Sequence, residues 1–146
     1  MSGRKGRVSH CYRCVYTWKA RRERGPRMCP RCKSRLFDKP KIRAITLGNG
    51  LGIPEVVSPH RQAILRAARR YGARRLWIFG SVRRREATSR SDVDLLVEWA
   101  RHVSLLDVAG LQAELRKALG RPVDVVNRHG LHWAVEPQVE AEKVPV

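Results

Sequence analysis

All four cysteines of this 146-residue chain fall within 22 residues, as Cys11-Tyr-Arg-Cys14 and Cys29-Pro-Arg-Cys32 separated by 14 residues. No other feature limits the possible folds so tightly. Two C-x2-C turns at that separation can present four thiolates to one tetrahedral ion, while the segment between them returns as a hairpin. Within that segment Val15-Tyr16-Thr17-Trp18-Lys19 has the β-branched and aromatic content of a strand, and Arg21 to Arg27 reads as a polar turn broken at Gly25-Pro26. Two disulfides would be the competing use of four cysteines. Met1 to Arg7 is basic with no apolar stretch after it, however, so a reducing, intracellular setting is expected. Thiolates alone do not choose between zinc and iron; zinc is favoured because so basic a module has no evident electron-transfer partner. His10 could stand in as a ligand, although with four cysteines present an ordinary exposed histidine is the simpler reading.

Charge divides the chain in the same place. Residues 1–57 carry 15 Lys/Arg against 3 Asp/Glu, whereas residues 58–146 carry 16 against 10. A net of +12 on the first part predicts a polyanionic neighbour, nucleic acid first, with RNA as one candidate partner of this basic segment. Arginine supplies 24 of the 31 cations, which suits bidentate phosphate contacts, an arginine-rich coding bias being the alternative. Hydrophobic residues make up 42% of the chain, enough to exclude wholesale disorder. The longest apolar runs, such as Leu95-Leu96-Val97, fall far short of the ~20 residues that span a bilayer, so a cytoplasmic protein without membrane contact is expected.

Residues 43–57, with Gly48-Asn49-Gly50 and Gly52-Ile53-Pro54, read as a linker between a small metal domain (9–42) and a second domain (58–146). In the second domain Ser58-Pro59 predicts a helix start and Gly72 its end, with Ile64, Ala67, Ala68 and Tyr71 on one buried face. Strands are predicted over Arg74–Phe79, Val93–Trp99 and Pro122–Asn127. A helix over Ser104–Leu119 is capped by Ser104 with Asp107 three residues on, and Leu111, Leu115 and Ala118 face inward. Leu131–Lys143 is expected to form a last helix. Helices alternating with strands predict a small α+β domain with a mixed sheet.

Asp92 and Asp94, two apart at the head of a strand, project from one face, opposite Val93, Leu95, Val97 and Trp99. Paired carboxylates on a strand suggest a magnesium site that handles phosphates. Asp124, an acid between Val123 and Val125 on another strand, is placed to complete a three-carboxylate cluster. Gly80-Ser81 follows a strand directly, and its N–H groups and hydroxyl could hold phosphate oxygens. Alone, a Gly-Ser is usually just a turn and an Asp-x-Asp usually a loop or cap.

In combination these residues resemble known families. Residues 9–42, with the Cys-Pro-Arg-Cys-Lys knuckle and Trp-Lys between the pairs, resemble the small zinc ribbons of prokaryotic proteins. Such ribbons often carry Gly after each second cysteine, where Val15 and Lys33 stand here. Gly80-Ser81, ten intervening residues, then Asp92-Val93-Asp94 and the later Asp124 strand resemble the signature of the DNA polymerase beta superfamily. In length and motif order residues 58–146 are similar to its minimal nucleotidyltransferases, which are often paired with a helical HEPN protein. Arg84 aligns with an arginine of that signature, while Arg83 and Arg85 replace the small residues that usually flank it.

The resemblance implies a polymerase beta-like core behind a zinc ribbon, with zinc on Cys11, Cys14, Cys29 and Cys32. It implies two magnesium ions on Asp92, Asp94 and Asp124, and the β/γ-phosphates of ATP on Gly80, Ser81 and Arg84. The implied reaction moves AMP from ATP to a tyrosine of a HEPN toxin, making this chain the antitoxin. A nucleotidyltransferase acting on RNA or a small molecule, and a non-catalytic antitoxin that neutralises by contact, are the alternatives.

Overall fold

The computed structural model describes residues 7–20 and 25–146. The chain forms two compact units, Met1–Arg43 with Trp133–Gln138 and Ala44–His132 with Val139–Val146. Of the expected polar turn, residues 21–24 lie outside the described residues, as does the basic stretch before Arg7.

In the first unit β1 (Arg7–His10) pairs antiparallel with β2 (Thr17–Ala20), Arg7 opposite Ala20 and His10 opposite Thr17. The second strand starts later than its composition suggests because Val15 is in the left-handed region at φ 58°. There its N–H reaches the Cys11 carbonyl at 2.8 Å and closes the first knuckle. Lys33 repeats the arrangement at φ 59°, its N–H 2.9 Å from the Cys29 carbonyl. Both positions suit glycine, and an L-residue held there costs about 1 kcal/mol; the knuckle turns form regardless. Buried Cys11, Cys29 and Phe37 make the small core, with Cys14 and Trp18 packed against it.

In the second unit α1 (Ile53–Val56), α2 (Arg61–Arg70), β3 (Ala73–Phe79), α3 (Gly80–Arg83), β4 (Val93–Trp99), α4 (Leu105–Leu119) and β5 (Val123–Asn127) follow in order. They end with α5 (Glu136–Glu142), whose last residues belong here, and β6 (Val144–Pro145). The strands form one mixed sheet in the order β5-β4-β3-β6, with β4 and β5 parallel and the other pairs antiparallel. Alternation sends Leu76, Ile78, Val93, Leu95, Val97 and Val123 to one face. There they meet Ile64, Ala67 and Ala68 of α2 and Leu111, Leu115 and Leu119 of α4. Ala118, expected inside, is only partly buried, because the buried positions of α4 step by four. The cap of α4 is as expected: Asp107 N–H donates to Ser104 Oγ at 3.1 Å, and Ser104 N–H donates to Asp107 Oδ2 at 2.9 Å.

Three expectations are corrected. Ser58–His60 forms a separate 3-10 turn in which Ser58 caps nothing, so the α-helix proper begins at Arg61; Gly72, at φ 80°, ends it. The last helix begins at Glu136 rather than Leu131, since Pro137 is tolerated only in a first turn. Of residues 43–57, read as a linker, 44–57 are packed into the second unit. Gly48 N–H donates to the Arg84 carbonyl at 2.8 Å, Gly50 N–H to that of Arg85 at 2.7 Å, and Leu51 bridges Ala87. A Cβ on Gly48 or Gly50 would stand 2.7 Å from a backbone oxygen, so these glycines permit close packing rather than slack.

Candidate functional site

Strand register assembles the acids. β4 runs between β3 and β5, placing Asp94 opposite Phe79 on one side and Asp124 on the other. Gly80 follows Phe79 at φ 71°, and a Cβ on it would lie 2.0 Å from Asp94 Oδ2. Only glycine lets the chain turn there with the carboxylate against its Cα. Asp94 is half-buried, whereas Asp92 and Asp124 are exposed. Burial pushes the Asp94 carboxyl up to about 6, and the charges of Asp92 and Asp124 add to the shift while Arg84 opposes it. Asp94, with the charges of Asp92 and Asp124 acting on it, brings together hard oxygen donors of the kind that divalent cations take.

α3 carries the other predicted residues. Ser81 Oγ is buried with no hydrogen-bond partner, which fits a hydroxyl that meets a phosphate. Arg84 closes this helix, and Arg85 beyond it adopts φ 56°, so the turn forms although a small residue is missing there. The Arg84 guanidinium donates to Glu86 at 2.8 Å and to both carboxylate oxygens of Glu142 at 3.1 and 3.0 Å.

Glu142 is the residue that reading the sequence missed. Its side chain is only 2% exposed, and its Oε1 also accepts from Gly80 N–H at 2.9 Å. Arg83 Nε donates to the Glu142 carbonyl at 3.0 Å, so the last turn of α5 clamps the Gly80–Arg84 turn on three groups. A signal existed: Val139 and Glu142, three apart, are the buried positions of α5.

The cysteines also converge. Their four sulfurs lie within 4.8 Å of one another, with Cys11–Cys32 at 3.6 Å and Cys14–Cys29 at 3.7 Å. A tetrahedral zinc with bonds of about 2.3 Å separates its sulfurs by about 3.8 Å, so the donor set fits that ion. All four are free thiols. Burial and the neighbouring thiols push Cys14 up to about 12. Burial opposes ionisation of Cys29 too, but the N–H groups of Cys32 and Arg31 outweigh it and bring that thiol down to about 7. His10 is not in the cluster; its Nδ1 lies 3.0 Å from Thr17 Oγ1 and its ring 4.6 Å from that of Trp133.

Known proteins share these features. The family profile described as a nucleotidyltransferase domain matches residues 60–146. Over 77 residues the chain is 39% identical to a Methanocaldococcus jannaschii protein, MJ0435, provisionally named a protein adenylyltransferase, covering 53% of this chain and 83% of that one. It is 34% identical over 94 residues to the protein adenylyltransferase MntA of Thermococcus cleftensis, covering 64% and 92%. A solved structure provisionally described as a minimal nucleotidyltransferase superimposes with a TM-score of 0.58 at 39% identity, covering 68% of this chain and 100% of that one. A chain of a toxin–antitoxin complex with AMP-PNP gives 0.52 at 22% identity, covering 57% and 69%, a likeness of fold.

Proposed function

This chain belongs to the nucleotidyltransferase domain family, and from that premise we propose that it transfers AMP from ATP to a tyrosine hydroxyl of a HEPN-type toxin, acting as the antitoxin. The observation that carries the reading is Asp94 set against the Gly80 turn, with Asp124 as its register partner on the next strand. Two relatives at 39% and 34% identity that bear the name protein adenylyltransferase support the choice of a protein acceptor.

In this reading Asp92, Asp94 and Asp124 are the catalytic acids and would hold two magnesium ions. Bound there, the ions would supply charge neutralisation at the triphosphate and a more acidic acceptor hydroxyl. The Gly80-Ser81 turn holds the β- and γ-phosphates through the Ser81 N–H and hydroxyl, Gly80 N–H being given to Glu142, and Arg84 lends positive charge from its place between Glu86 and Glu142. Asp124, exposed at the rim, draws the proton from the acceptor hydroxyl. The new bond joins the acceptor oxygen to the α-phosphorus as the bond to the β-phosphate oxygen breaks, and pyrophosphate leaves.

The test incubates the protein with magnesium, α-labelled ATP and a candidate HEPN-type partner. Label on a partner tyrosine is expected, and Asp92→Asn, Asp94→Asn or Asp124→Asn should each lower it by about a thousandfold. Label appearing on RNA or a small alcohol instead would replace the acceptor; no label anywhere would leave a contact-only antitoxin.

A further inference from the structure

The first unit carries a surface that the transfer reaction does not use. Among its described residues, 7–20, 25–43 and 133–138, stand ten Lys/Arg and two acids, Asp38 and Glu136. Nine of those cations are exposed (Arg7, Lys19, Arg27, Arg31, Lys33 and Arg35 among them), and no ion pair is formed by any of the ten among the described residues. Unpaired cations at this density attract a polyanion.

Aromatic rings stand within this field. Tyr16 and Trp18, two apart, share one face of the hairpin, their rings stacked with centroids 6.0 Å apart and planes 11° from parallel. Trp18 is backed in turn by buried Phe37 at 5.4 Å. The Tyr16 carbonyl accepts from Cys11 N–H at 2.9 Å, which ties the ring's backbone to the first cysteine turn. Tyr16 is nevertheless 37% exposed, and the Arg31 guanidinium lies 5.8 Å from its centroid. A fixed, exposed ring with a guanidinium beside it is of little use to a duplex, whose bases already stack on each other. It suits unstacked bases, which can lie on the ring or the guanidinium plane while neighbouring cations meet their phosphates.

We infer that this face of the cysteine-clustered hairpin binds single-stranded nucleic acid, with Tyr16 as the stacking platform and Arg31 and Lys33 among the cations that meet phosphates. Stacking and charge then separate experimentally, because only the charge contribution releases counterions. The experiment measures binding of a fluorescent single-stranded RNA of about 12 nucleotides by the full-length, metal-loaded protein across a salt series. Tyr16→Ala should weaken binding roughly tenfold with the salt slope unchanged. Arg31→Ala with Lys33→Ala should flatten the slope by about 1.4, near 0.7 for each phosphate of a single strand that is no longer neutralised. Tyr16→Trp should restore affinity; Tyr16→Leu, which keeps apolar bulk but no ring, should not. Metal content measured on every variant shows that the hairpin is intact. Duplex RNA bound as tightly as the single strand, with Tyr16→Ala silent, would reduce the face to plain electrostatics and overturn the inference. Binding to phosphatidylglycerol vesicles but not to single-stranded RNA would overturn it in favour of a membrane surface.

Discussion

Asp94→Asn should make the magnesium-free protein more stable at neutral pH while abolishing transfer. The native environment raises the Asp94 carboxyl from 3.8 to about 6, through burial first and then through Asp92 and Asp124. The unfolded chain releases that proton near its ordinary value. Between about pH 4 and 6 the folded state therefore holds more protons than the unfolded one, and stability falls as pH rises through that window. The contribution is fully present below about 4 and gone above about 6. Two pKa units correspond to roughly 3 kcal/mol, and screening at a half-exposed carboxylate reduces this to about 1–2 kcal/mol. Asparagine keeps the shape against Gly80 and removes the charge. Urea denaturation of both proteins from about pH 4 to 8 in magnesium-free buffer supplies the difference curve: near zero at the acid end, rising to about 1–2 kcal/mol in favour of the variant by about pH 7. Magnesium should then close the gap by stabilising the wild type alone. A flat difference curve, or a variant less stable at neutral pH, would refute the idea that burial and the neighbouring acids disfavour the Asp94 charge.

Four further changes test other parts of the structure. Gly80→Ala places a Cβ 2.0 Å from Asp94 Oδ2 at φ 71°, so transfer should fall by about a hundredfold or more in an assay with labelled ATP; wild-type activity would show that the turn is not pinned by that approach. Glu142→Gln keeps an acceptor for Gly80 but loses the charge opposite Arg84; thermal denaturation should show a loss of about 2 kcal/mol and kinetics a raised KM for ATP. Cys29→Ser should lower bound zinc from near one equivalent to a small fraction in elemental analysis, and iron in the intact protein would reassign the ion. Val15→Gly relieves a left-handed β-branched residue that is 54% exposed, and should raise the stability of the hairpin by about 1 kcal/mol as read by metal retention under denaturant.

What could be read from the sequence was whatever depends on spacing over a few residues. Alternation placed Val93, Leu95 and Val97 opposite Asp94, and the Ser104–Asp107 pair marked the start of α4. The juxtaposition of Asp94 with Asp124 needed only the two strands and a guess at their register. Glu142 escaped because its partners lie 58 and 62 residues away, and its one local signal, the three-residue step from Val139, is matched by Glu136 on the other side. Residues 44–57 misled for the opposite reason. Glycines that read as slack are small because backbone carbonyls approach them, a fact that belongs to the tertiary structure. Val15 and Lys33 stand where ribbons often carry Gly, and Arg85 where a small residue is usual, yet each turn forms. Hydrogen bonds closing the knuckles and the packing around α3 outweigh a penalty of about 1 kcal/mol.

The clamp on the Gly80 turn also has a consequence in time. Ribosomes deliver Glu142 62 residues after Gly80, and β6 pairs with Trp77 and Ile78 only once Val144 and Pro145 have followed. At about 5–20 residues per second, the turn exists for roughly 3–12 s with neither its carboxylate anchor nor its edge strand. A nascent chain that has already made Asp92, Asp94 and Asp124 still lacks the carboxylate that clamps the Gly80–Arg84 turn. The clamp and the edge strand therefore close only after residues 142–145 have been made.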